Sequence, residues 1–119
     1  MDEALLDAVG LFVRAYTMKD SGMIGRLLAD DVKYVSTSGE VSSGREKVVG
    51  MFQGSMNEYG KDAAYMAGLL DLTPVVLVLH KKGSRFERAV YKSFEMAGDK
   101  ISGITASDEK KNLEKIQTL

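Results

Sequence analysis

The sequence predicts an α+β fold in which three N-terminal helices pack on a strongly curved, mostly antiparallel mixed sheet and leave a cone-shaped cavity. Three observations carry that reading. Apolar residues recur at three- and four-residue steps through most of residues 2–59, with one short alternating stretch between. From residue 63 onward, candidate strands take over. The gaps between those strands are too short for crossover helices, so consecutive strands are antiparallel neighbours, and strands that follow helices rather than alternate with them mark layered α+β architecture.

The first helix spans residues 2–17, with Asp2 as N-cap and Leu5, Leu6, Val9, Phe12, Val13 and Tyr16 as its buried stripe. Lys19-Asp20-Ser21-Gly22 interrupts it, and a second helix follows over residues 21–29, stopped by Asp30-Asp31. Residues 31–37 alternate, with Val32, Tyr34 and Ser36 on one face. Ser38-Gly39 signals a turn, and Glu40-Val41-Ser42 reads as a short return strand. Ser43 and Glu46 match a capping box that opens a third helix over residues 44–59. Val48, Val49, Phe52, Met56 and Tyr59 form its inner side, and Gly50 and Gly54 read as close packing against the sheet. Four strands follow: Ala63 to Leu72, Val75 to Lys81, Arg85 to Met96 and Lys100 to Ala106. Their breaks are Thr73-Pro74, Lys82-Gly83-Ser84 and Gly98-Asp99, and Pro74 falls at a junction, where a strand tolerates it. The tail from Ser107 forms a helical turn or two anchored by Leu113 and Ile116, or frays. The whole of 1–119 reads as a single domain.

Composition narrows the functional classes. The chain has 119 residues, 16 Lys+Arg against 17 Asp+Glu and a formal net charge of -1, which argues against a general nucleic-acid binder. It has no cysteine and a single histidine, so neither a thiol nucleophile nor a metal site is expected, and no cofactor is implied. No apolar run is long enough for a membrane span, and the acidic start Met1-Asp2-Glu3 is unlike a signal peptide. A cytoplasmic protein with no membrane partner is the expectation.

Leu28-Ala29-Asp30-Asp31-Val32, the following strand, Ser43-Gly44-Arg45-Glu46-Lys47-Val48-Val49 with Phe52, and the turn Gly98-Asp99-Lys100-Ile101 resemble the SnoaL-like group. That group belongs to the nuclear transport factor 2-like superfamily, which also holds the ketosteroid isomerases and has the cystatin-like cone fold. The resemblance implies a cone domain, dimerisation through the sheet and a fold that serves isomerases, cyclases, dehydratases and non-catalytic modules alike. It also locates the isomerase machinery. The tyrosine donor of the first helix maps to Phe12, the aspartate base to Ser36 and the second oxyanion donor, counted from Phe94, to Val90. None can perform its role, because proton abstraction beside a carbonyl needs a base and oxyanion donors. Steroid isomerase activity is rejected on that mapping.

The alignment turns Tyr34 and Ser36 inward as polar pocket groups, with Phe12, Tyr16, Phe52, Met56, Val90 and Phe94 as the pocket wall. Asp71, alone in an apolar stretch, is either a desolvated acid or a surface carboxylate; His80 is either a solvated strand end or a catalytic imidazole. Lys81, Lys82, Arg85 and Arg88 make a basic hairpin, suited to an anionic partner or to plain edge protection. Val75-Val76-Leu77-Val78-Leu79 is apolar on both faces, so one face meets the helices and the other should meet a second copy of the chain. The expected function is binding of a small, mostly apolar molecule in the cone. The alternative is a non-catalytic homodimerising interaction module whose cavity is filled by its own side chains.

Overall fold

A computed structural model describes residues 2–119. Helix α1 (Glu3–Thr17) begins where the Asp2 carboxylate accepts from the Leu5 N–H at 3.1 Å. Its apolar stripe buries Leu5, Val9, Phe12 and Tyr16. Helix α2 (Ser21–Leu27) is capped the same way, by Asp20 on the Met23 N–H at 3.0 Å. It stops two residues short of the sequence expectation. Leu28 is claimed by strand β1 (Leu28–Val35), where it pairs with Ile101 and is 1% exposed, so sheet pairing overrides the helical run.

Strand β2 (Val41–Ser43) returns antiparallel on β1. Helix α3 (Arg45–Tyr59) has Gly44 as N-cap and no side-chain cap. The expected capping box does not form, because Ser43 is engaged in the hairpin opposite Lys33 and Gly44 turns the chain at φ +99° while donating to the Val32 carbonyl at 2.9 Å. Gly50 and Gly54 are exposed with open space around their Cα atoms, so they do not mark close approach to the sheet.

After a single 3₁₀ turn (Gly60–Asp62) come the long strands β3 (Ala63–Leu70), β4 (Thr73–Lys82), β5 (Arg85–Ala97) and β6 (Lys100–Ser107). The β3–β4 connection is Asp71-Leu72, both at positive φ (49° and 66°), two residues earlier than the break expected at Thr73-Pro74. Pro74 therefore lies within β4, opposite Leu69 and fully buried. Leu70 and Thr73 close the turn, so the next rung turns the Pro74 nitrogen away from β3, and the β5 ladder begins only at Val76.

The sheet order is β2-β1-β6-β5-β4-β3-β7, the last being the short strand Gln117–Thr118, with β1 and β6 parallel and every other pair antiparallel. Register slips occur in β1 against β6, between Val78 and Leu79 of β4, and between Glu95 and Met96 of β5. Such bulges curl a sheet, and here the concave side receives α1 and α3. The main core unites Val9, Phe12 and Phe52 from the helices with Val32, Val76, Val78, Ile101 and Ile104 from the sheet.

The convex side carries a second core. Helix α4 (Lys110–Lys115) and the short strand β7 (Gln117–Thr118) fold back over it, so the tail is ordered and not frayed. Leu113 and Ile116 pack with Val75, Leu77 and Tyr91. One bulge makes this possible. Val78 pairs with Val90, but Leu79 pairs with Arg88, so the extra residue Ala89 swings Arg88 to the convex face. There its guanidinium donates to the carbonyls of Leu113 and Ile116 at 2.9 and 2.7 Å. Arg88 thus leaves the basic hairpin of the sequence reading to become the tail's clamp. The convex-face residues Val75 and Leu77 are covered by the chain itself (1% and 0% exposed), where a second copy was expected.

A buried amine beneath a tyrosine-walled pocket

Alternation along β5 sends Val90, Lys92, Phe94 and Met96 to the concave side. Lys92 is 6% exposed, the only charged side chain buried among the described residues. Its rung neighbours Val76 and Ala106 are core residues with no polar side-chain atom. Nζ sits over three aromatic rings, 4.7 Å from the Phe52 centroid, 5.1 Å from Tyr34 and 5.2 Å from Tyr65. It donates to the Tyr65 hydroxyl at 3.0 Å. Burial without a carboxylate partner disfavours the charged form and brings the amine down to about 7.

Tyr65 connects this amine to the surface. Its ring stacks on Tyr16 at 3.5 Å, and the Tyr16 and Ser55 hydroxyls lie 2.7 Å apart. Burial, then the neighbouring Tyr16, raises the Tyr65 hydroxyl; burial likewise raises that of Tyr34. Both phenols stay protonated, and that of Tyr65 accepts from Lys92 Nζ. Tyr16, Met56, Ala63, Ala64 and Tyr65, with Thr17, Lys19 and Gly60, line a partly open pocket of about 210 Å³ where α1 and α3 end and β3 begins. Chemically, the arrangement offers an amine that is partly neutral near pH 7, a phenol beside it and an apolar vestibule.

The structure gathers most of the wall residues expected from the sequence. Phe12 meets Phe52 and Phe94 edge-on at 5.0 and 5.2 Å, and Tyr34 meets Phe52 at 5.6 Å. These rings occupy the interior of the cone, Val90 packs half-buried at its margin, and Tyr16 and Met56 reach the pocket. Ser36 does not join them. It lies past the end of β1, where its hydroxyl sits 2.9 Å from that of Ser38 and accepts from the Glu40 N–H. The strand ends one residue too soon for the alternation to carry Ser36 inward. Asp71 is an exposed turn residue, and His80 is exposed at the end of β4, stacked on Tyr59 at 5.5 Å. Neither lines the Tyr16–Tyr65 pocket, and Lys92 lies behind that lining, hydrogen-bonded to Tyr65. The sequence reading missed Lys92, although it stands two residues before Phe94 on the same face of a strand, where alternation flags a charge inside.

No family model matches the chain, and no curated protein does. Solved structures resemble it over nearly its whole length. A nuclear transport factor 2-like protein of unknown function from Burkholderia xenovorans superposes with a TM-score of 0.67 at 18% identity, covering 89% of this chain and 84% of its own. An uncharacterised cystatin-fold protein from Novosphingobium aromaticivorans gives 0.66 at 17% identity, covering 85% and 95%. An epoxide hydrolase of the LEH-like kind from Mycobacterium tuberculosis gives 0.66 at 13% identity, covering 95% and 88%. The chain therefore has the nuclear transport factor 2-like, cystatin-like cone fold that its motifs led one to expect.

Proposed function

We propose that the chain is a SnoaL-like cone domain that binds a small, mostly apolar molecule in the Tyr16–Met56–Tyr65 pocket, without the ketosteroid isomerase residue set. The carrying observation is the pocket itself: about 210 Å³, partly open, walled by Tyr16, Met56, Ala63, Ala64 and Tyr65 with Thr17, Lys19 and Gly60 beside them, and with the Lys92 amine hydrogen-bonded to Tyr65 behind that wall. An apolar lining with few convergent polar groups is what holds and orients a small ligand. The isomerase positions support the negative half of the reading. Phe12 and Val90 bring no polar side-chain atom to the core, and Ser36 spends its hydroxyl in a turn. A cysteine-free composition supports a cytoplasmic setting.

Titration with benzyl alcohol, followed by methyl and aromatic NMR, tests the binding. The expected result is saturable shifts confined to Met56, Tyr16 and Tyr65, abolished in Ala63→Phe, whose ring fills the pocket. Shifts scattered over the exposed surface, or none at all, would refute the pocket.

A second reading concerns assembly. Beyond the tail, Met66, Leu70 and Leu79 remain half-buried on the convex face and Phe86 is 47% exposed. That remaining strip supports pairing with a second copy of the chain.

A further inference from the structure

We propose that Lys92 is a carbonyl-capturing amine: the pocket admits a small apolar aldehyde or ketone, and Lys92 Nζ condenses with it to form an imine. The inference deepens the binding reading above and rests on it. It stands on geometry. Nζ is sealed among Phe52, Tyr34 and Tyr65, and its hydrogen-bonding partner is the hydroxyl of Tyr65, a residue that also walls the pocket. Among the described residues no carboxylate lies within salt-bridge range of it. The titratable side chains around it are phenols: Tyr65 and Tyr34 in contact, and Tyr16 stacked behind Tyr65. A purely structural role gains little here, because an apolar side chain would fill the same space without the desolvation cost of an amine. Desolvation by a hydrophobic site is one of the ways a lysine becomes a nucleophile, and the value of about 7 agrees with it.

The step balances without any co-reactant. The neutral amine keeps an N–H on the Tyr65 oxygen, which leaves its lone pair free to bond to the carbonyl carbon of an entering ligand. The carbonyl oxygen takes a proton from the Tyr65 hydroxyl, and the nitrogen returns one to the phenolate, giving a neutral carbinolamine. Its C–OH bond then breaks while the nitrogen's remaining proton passes through the Tyr65 hydroxyl to the departing oxygen, so that water leaves and a neutral C=N bond forms. The aromatic rings that surround the neutral amine suit the neutral, apolar imine as well. The substrate class is thus a small aldehyde or ketone whose remaining surface is apolar.

Benzaldehyde with sodium cyanoborohydride, applied to the full chain at neutral pH, reads the step as a benzyl adduct located by peptide mass spectrometry. Lys92 should be labelled at least about tenfold faster than the exposed lysines, because at neutral pH those are almost wholly protonated. Benzyl alcohol should slow the labelling of Lys92, and Tyr65→Phe should slow it while the denaturant melt stays as cooperative as the parent's. Lys92→Met should lose the adduct while melting as a cooperatively folded protein. Labelling spread over surface lysines, with alcohol binding preserved, would overturn the reactive amine and leave the pocket standing. Failure of both labelling and alcohol binding would overturn the pocket reading and this inference with it.

Discussion

At the scale of single residues, Lys92 is the position where local chemistry and fold stability conflict. The depressed value of about 7 means that the unfolded chain binds more protons than the native one from about pH 7 up to the ordinary lysine range. Stability therefore rises with pH through that window, and below it the burial penalty is fully present, on the order of 5 kcal/mol. Lys92→Met removes the penalty while keeping an unbranched stem among the rings. The expected outcome is a gain of about 2–4 kcal/mol near pH 6 that shrinks toward zero by about pH 10. Denaturant melts of both proteins across that range measure it; a gain that does not change with pH would mean the amine is already neutral or already solvated. Lys92 was legible in the sequence only as a break in alternation. Its partner Tyr65 lies 27 residues away in the chain, and only the β3–β4–β5 meander brings the two together.

At the scale of elements, periodicity located the three N-terminal helices and the long strands, whereas their ends were decided by partners distant in sequence. Leu28 looks helical until Ile101 takes it as a strand partner. Ser43 looks like a cap until Lys33 pairs with it. The β3–β4 turn was hidden because Asp71 and Leu72 hold a left-handed conformation that sequence favours for Asn-Gly or Asp-Gly. The glycines separate into two kinds that composition could not tell apart. Gly50 and Gly54 face open space within α3, so alanine at each should stabilise by about 0.5–1 kcal/mol. An added Cβ at Gly68 would come within 2.6 Å of Ile116 Cγ2 and 3.2 Å of the Gln117 carbonyl. Gly68→Ala should therefore push the tail from β3 and cost about 1–3 kcal/mol. Thermal melts of the three variants test both signs; Gly68→Ala matching the parent would show that the tail yields freely.

At the scale of the whole molecule, the cone and its order of layers followed from the sequence because helical periods dominate up to residue 59 and strand periods from residue 63 to residue 106. What lies on the convex face did not follow. Val75 and Leu77 were legible as doubly covered strand residues, but the cover is Leu113 and Ile116 held by Arg88, an arrangement that depends on a bulge no pattern announces. The apolar strip that the tail leaves, with Phe86 at its margin, predicts a dimer weaker than an uncovered sheet would give. Light scattering at rising concentration should show the mass climb from 13.0 kDa toward twice that value, and Phe86→Ser should hold it at the lower one. A constant mass of one chain at high concentration would leave the strip without a partner.

The claim on which the account turns is that a buried amine communicates with the pocket through Tyr65. The pH titration of the Lys92 side-chain Cε by NMR, with and without saturating benzyl alcohol, tests it most directly. The account predicts a midpoint near 7, because the amine is desolvated, and a further downward move when the alcohol fills the pocket and excludes water from it. A midpoint in the ordinary range of exposed lysines, unmoved by the alcohol, would contradict it.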